Sequence, residues 1–169
     1  MPVGTPGELL TRGYSVMRGY WKDPAQTASS VDEAGWMHTG DIATLDHEGF
    51  CNIVGRIKDV VIRGGENIYP REIEEFLYTH PGIETVQVFG VPDEKYGEEL
   101  CVWIRLLTGA SIDEGEVRAF CEGRIAHYKV PRYVRFVDTF PTTVTGKIQK
   151  FVMRDEMIRQ LGLCKQQTA

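Results

Sequence analysis

The sequence has 169 residues, 42% hydrophobic and 25% charged, with a formal net charge of −5. That length can bury a core and fits one or two small domains of ordinary globular composition. The negative balance argues against nonspecific nucleic-acid binding; no apolar run approaches the roughly 20 residues of a membrane span, and no charged-then-apolar signal opens the chain.

In chain order, Gly7–Arg12 alternates weakly as a short strand. Asp23-Pro24 is a helix start, with Asp as cap and Pro at the first helical position. Trp36–Leu45 and Phe50–Gly55 flank Asp46-His-Glu-Gly49, which predicts a β-hairpin with Gly supplying a positive φ. This first part is too small to own a core and reads as the last strands and helix of a larger body. After Lys58 the pattern changes to alternating strands and helices. Val60–Arg63 is a short strand broken by Gly64-Gly65. Pro70 opens a helix with Ile73, Phe76 and Leu77 on one face. Thr85–Val91 and Leu100–Leu107 are rich in strand formers. Asp113 and Glu116 make a capping box for a helix burying Val117, Phe120, Cys121 and Ile125. Tyr133–Val137 is a further strand, and Met153, Met157 and Leu161 share a face of a final helix over Phe151–Leu161. The fold class expected is α/β (α+β): a short mixed sheet with about three helices in a domain of about 110 residues. No internal repeat or low-complexity tract is present.

Cysteines 51, 101, 121 and 164 show no CxxC pairing and sit among apolar neighbours. Free buried thiols in a reducing cytoplasm are the expectation. Trp36, Tyr96, Trp103 and Tyr128 read as core or interface residues. His38 has no second His or carboxylate at metal-ligand spacing, so no protein-ligated metal is expected. From Arg124 to Arg159 there are eight Lys/Arg against three Asp/Glu. Such a stretch attracts polyphosphate or is simply a solvated basic face.

Three strings stand out in fixed order: Gly35-Trp-Met-His-Thr-Gly-Asp41; Gly55-Arg-Ile-Lys-Asp59 with Gly64-Gly-Glu-Asn-Ile-Tyr-Pro-Arg-Glu-Ile-Glu74; and Pro141-Thr-Thr-Val-Thr-Gly-Lys147-Ile-Gln-Lys150. Alone, the last offers an exposed turn lysine, a compact mobile cation. Together, and with Gly90-Val-Pro-Asp-Glu-Lys-Tyr-Gly-Glu-Glu99 and His127-Tyr-Lys-Val-Pro131, they resemble the adenylate-forming superfamily over nearly the whole chain. That superfamily comprises acyl- and aryl-CoA synthetases, peptide-synthetase adenylation domains and beetle-type luciferases. The wording is most similar to medium- to long-chain fatty acyl-CoA synthetases.

The resemblance implies residues 1–57 as the end of a large N-terminal domain and 58–169 as a mobile C-terminal lid hinged at Lys58. It implies Lys147 as the catalytic cation between carboxylate and α-phosphate, with Gly146 allowing close approach. Asp41 would accept the ribose hydroxyls of ATP or AMP, and Arg56 would also contact the ribose. Rotation about Lys58 would replace the Lys147 turn with the Gly64-Gly65 loop, lining the tunnel for the pantetheine arm of CoA. Glu66 and Asn67 would tie that loop down. ATP, CoA and a carboxylic acid, in all expectation a fatty acid, are the implied ligands. Magnesium would enter with ATP.

The family's phosphate-binding loop, magnesium-binding glutamate and acyl pocket are absent from this sequence, so the chain is expected to be inactive without its own N-terminal domain. Ile62 stands where luciferases carry a second lysine, which disfavours light-emitting chemistry. Lys150 replaces a common arginine, a change expected to be tolerated. The alternatives are an aryl-CoA ligase, a peptide-synthetase adenylation domain or, in another class, a non-catalytic nucleotide- or partner-binding module.

Overall fold

The computed structural model describes residues 1–163, and the expectation for Cys164 lies outside them. The chain divides into two compact units, Met1–Lys58 and Asp59–Ala169.

The first unit is a three-stranded antiparallel sheet of β1 (Gly7–Thr11), β2 (Met37–Leu45) and β3 (Cys51–Arg56), with helix α1 (Pro24–Ser30) between β1 and β2. Asp23 caps α1 by accepting the Gln26 N–H at 2.9 Å, and Pro24 takes the first helical position. The turn between β2 and β3 closes as its residues dictate. Asp46 Oδ1 accepts the N–H groups of Glu48 and Phe50, each at 2.9 Å, and Gly49 supplies φ 88°. Cys51 is exposed rather than buried, and Trp36, 37% exposed, is not part of a core.

The second unit is a five-stranded mixed sheet in the order β5 (Glu66–Ile68), β4 (Val61–Arg63), β7 (Gly97–Leu106), β6 (Ile83–Asp93), with β8 (Tyr133–Phe136) parallel to β7. Helices α2 (Pro70–Leu77), α3 (Glu114–Cys121) and α4 (Lys150–Leu161) complete it. The period-two rule explains how one strand serves two layers. Val86 and Val88 of β6, with Leu100, Val102 and Ile104 of β7, join Ile73 and Leu77 of α2 and Val117 and Cys121 of α3 in one core cluster. The intervening Phe89, Val91, Cys101 and Trp103 join Met153 and Met157 of α4 in the other. A sheet covered on both faces needs near-continuous apolar strands, which is how β6 and β7 read. The α3 capping box forms from both sides, Asp113 Oδ1 accepting the Glu116 N–H and Glu116 Oε2 the Asp113 N–H, each at 2.8 Å.

Four expectations need correction. The strands and helices do not simply alternate: β6 and β7 form one long hairpin, because only Glu94–Tyr96 separate them, too few for a helix. The chain after Gly65 is strand β5 rather than a bare turn into α2. Ile125 packs on the core from beyond the end of α3. On α4, Ile158 is buried where Leu161 is 38% exposed, because α4 ends at Gly162, φ 64°, just past Leu161.

Candidate functional site

In the first unit, β2 and β3 place Asp41 directly opposite Arg56. Arg56 Nε donates to Asp41 Oδ1 at 2.8 Å. Gly40, at φ 71°, sharpens the strand just before Asp41. Thr39 Oγ1 fixes this bend by donating to the Leu9 carbonyl at 2.7 Å and accepting the Asp41 N–H at 3.1 Å. The result is a carboxylate and a guanidinium held side by side at an accessible strand end, an arrangement that can receive a vicinal diol. Glu8 of β1 accepts from Gly40 N–H at 3.3 Å and meets His38 Nδ1 at 2.9 Å, a carboxylate partner thirty residues away that the spacing of the motif did not suggest. Among the described residues, no group of three or more His, Cys, Asp or Glu is placed to hold a metal ion.

Lys58 is exposed in the short 3₁₀ turn Ile57–Asp59 and is the last residue of the first unit.

In the second unit, Gly64 and Gly65 form the two-residue turn between β4 and β5. Their φ values, 59° and 88°, are those of a turn that only glycine takes without strain. Gly64 N–H donates to the Tyr96 carbonyl at 2.8 Å, and a Cβ on Gly64 would sit 3.4 Å from the Tyr96 ring. A Cβ on Gly65 would meet nothing within 4 Å, so Gly65 is the open side of the turn. The turn stands on a buried ion pair. Arg63 Nη2 donates at 2.7 Å to Glu99 Oε1, whose side chain is only 2% exposed. That bond raises the Arg63 pKa above its ordinary value against the opposing effect of burial. Arg63 Nε and Glu99 Oε2, the other polar atoms of this pair, are buried without hydrogen-bond partners among the described residues, and the Arg63 guanidinium stacks on Tyr96 at 4.3 Å.

Lys147 lies on the turn between Thr142 and Ile148, which bridge each other. Three bonds stiffen it: Thr143 N–H to the Lys147 carbonyl (2.8 Å), Gly146 N–H to the Thr143 carbonyl (2.9 Å) and Lys147 N–H to Thr143 Oγ1 (3.1 Å). Gly146, at φ 84°, carries the chain round. The lysine side chain is exposed and makes no hydrogen bond or ion pair among the described residues. A rigid turn therefore presents an uncommitted cation.

Three residues later, Lys150 begins α4. Its Nζ donates to Glu74 Oε1 of α2 at 2.7 Å and to the Val88 carbonyl of β6 at 3.0 Å. The same Glu74 oxygen accepts the Val88 N–H at 2.8 Å. Glu98 makes a second tie: Oε1 accepts from Arg154 of α4 at 2.6 Å and Oε2 from the Ile62 N–H of β4 at 2.9 Å. Gly90 makes room for it, since a Cβ there would lie 3.0 Å from Glu98 Oε1. Sequence reasoning passed over Glu74, Glu98 and Glu99. Glu74 did leave a signal, a charge bordering the apolar face of α2 that Ile73 and Leu77 define.

The second unit is thus a small α+β domain that carries an exposed Gly-Lys turn and a Gly-Gly turn. Residues 72–147 match the family described as AMP-binding enzyme C-terminal domain, and that part of the chain belongs to it. The chain is 54% identical over 164 residues to a Bacillus subtilis protein provisionally named acyl-CoA synthetase YngI, covering 97% of this chain and 30% of that protein. It is 55% identical over 163 residues to the mitochondrial medium-chain acyl-CoA ligase ACSF2 of Danio rerio, covering 96% of this chain and 27% of that protein. The ATP-bound crystal structure of MatB from Rhodopseudomonas palustris superposes with a TM-score of 0.88 at 38% identity, over 95% of this chain and 32% of that one. The chain thus spans under a third of the length of these relatives. No helix among the described residues is long and apolar enough to cross a membrane.

Proposed function

We propose that the chain is the C-terminal portion of an ATP-dependent fatty acyl-CoA synthetase. In the first half-reaction a carboxylate oxygen attacks the α-phosphorus of ATP, giving acyl-adenylate and releasing pyrophosphate. In the second, the CoA thiol attacks the acyl carbon; the thiol proton is lost, the thioester forms and AMP leaves. Joining two anions requires that their charge be offset before attack, and Lys147 supplies a cation for this. Asp41 and Arg56 take the ribose. Lys58 is the hinge at the junction of a large-domain remnant, 1–57, and the lid, 58–169. The Gly64-Gly65 turn lines the pantetheine path, where the open side of Gly65 leaves room for a thin ligand. The described residues include no cluster that fits a magnesium ion, and no step here uses one.

The carrying observation is the uncommitted Lys147 ammonium on a turn rigid at its base. The relatives' names, medium-chain acyl-CoA ligase above all, support a fatty acid substrate; that ligase is mitochondrial, so its name does not favour the cytoplasmic location expected from the thiols. The test is Lys147→Ala in the full-length enzyme carrying this domain. Pyrophosphate release should fall by a factor of about 10² or more, as for loss of one preorganised charge-stabilising donor. Thioester formation from supplied acyl-adenylate should persist. Equal loss of both half-reactions would remove Lys147 from this role. A panel of fatty, aryl and dicarboxylic acids on the same enzyme separates a fatty acid specificity from the aryl alternative.

A further inference from the structure

We infer that Lys150 and Glu74 are positioning residues for Lys147, an assignment that rests on the adenylation role proposed above. Lys150 is poorly placed for its own helix. A cation in the first turn opposes the helix dipole, α4 has no acidic residue there, and Gln149 makes no side-chain cap. What holds the start of α4 is tertiary. One half-buried ammonium reaches Glu74 of α2 and the Val88 carbonyl, and one Glu74 oxygen holds both that ammonium and the Val88 N–H.

The link to Lys147 is short and stiff. Ile148 bridges Thr142, and the Gln149 N–H donates to the Pro141 carbonyl at 2.9 Å, so the base of the turn continues directly into the clamp. Three residues span at most about 10 Å of chain. The turn is internally rigid, so its direction is set where its base meets the domain body, at Lys150. Releasing that anchor would let the Lys147 ammonium wander without altering its charge. A displacement of about 1 Å at a reacting centre is enough to cost about 10²-fold in rate. The Gly64-Gly65 turn rests on Arg63–Glu99, and the tie from Arg154 of α4 through Glu98 to the Ile62 N–H of β4 stays intact, so this turn should register the change much less.

The experiment measures both half-reactions in the full-length enzyme for Lys150→Met, Lys150→Arg, Glu74→Gln and, in parallel, Lys147→Ala. Lys150→Met should slow adenylation about 10- to 100-fold, with thioester formation from supplied acyl-adenylate changed less than about twofold. Lys150→Arg, able to donate to both acceptors, should restore most of the rate. Glu74→Gln, which keeps an acceptor but drops the charge, should fall between. If Lys150→Met destabilises the domain, as thermal unfolding would reveal, the half-reaction ratio of Glu74→Gln decides instead. Unchanged adenylation in the Lys150 and Glu74 variants, parallel loss of both half-reactions, or failure of arginine to restore would overturn the assignment. If Lys147→Ala alone slows adenylation, the catalytic role stands without this clamp; if Lys147→Ala does not, both fall.

Discussion

Individual side chains divide here into those exposed for contact and those sealed away. Cys51 is exposed, whereas burial pushes the Cys101 thiol up to about 12 and the Cys121 thiol up to about 11. An unfolded thiol ionises near its ordinary value of about 8.5. The unfolded chain therefore loses these protons first, and stability is complete below that pH and falls as pH rises toward about 11. Urea unfolding of the chain between pH 8 and pH 10.5 should show this decline, and replacing both buried thiols by Ala should flatten it. Under native conditions, alkylation followed by peptide mapping should modify Cys51 well before Cys101 or Cys121. The Asp93 carboxyl is shifted the other way, held below its ordinary value chiefly by the Tyr96 N–H and further by the Lys95 N–H and Arg132, against the effect of burial. Its contribution is complete above the ordinary carboxylate value, where the unfolded chain is also ionised, and is lost as pH falls from there through the lowered folded value.

At the level of elements, much was legible. The Asp23-Pro24 start, the Asp46–Gly49 turn, the Pro70 helix and the Asp113/Glu116 box follow from residues whose local chemistry leaves few options. Strand β5 was not legible, since three residues beside a Gly-Gly pair carry no periodicity of their own and pair only because β4 lies alongside. Nor was the β6–β7 hairpin, whose largely buried strands, covered on both faces, hide their alternation. Of the candidate site, the chemistry-bearing turns were visible as motifs. Their supports were not, because Glu74 and Lys150 lie 76 residues apart and meet only in the folded chain. The α2 contacts make a further prediction. Ile73 is fully buried between α2 and the sheet, so Ile73→Ala should cost about 2–5 kcal/mol in urea unfolding. A loss below about 1 kcal/mol would mean that α2 is not a principal part of this core.

For the molecule as a whole, the boundary between the two units falls at Lys58, the residue proposed as the hinge. A 3₁₀ turn carries few backbone bonds, so a few dihedrals there can absorb a large reorientation. In the full-length enzyme, Lys58→Pro should leave pyrophosphate release near its original rate and reduce thioester formation at least about tenfold, because proline fixes φ. Half-reaction assays check this, and survival of both activities would dismiss the hinge.

Strand β6 ends the order of its sheet among the described residues, and such a margin is a template for a foreign strand. Here the amide groups of Val86 and Val88, at its middle, are already taken. Tyr78 Oη accepts the Val86 N–H and Gln87 donates to the Val86 carbonyl, while Glu74 and Lys150 occupy both groups of Val88. The side chains that steady the lysine turn thus also keep neighbouring copies from zipping onto this border, so a domain stripped of them would become prone to intermolecular strand pairing.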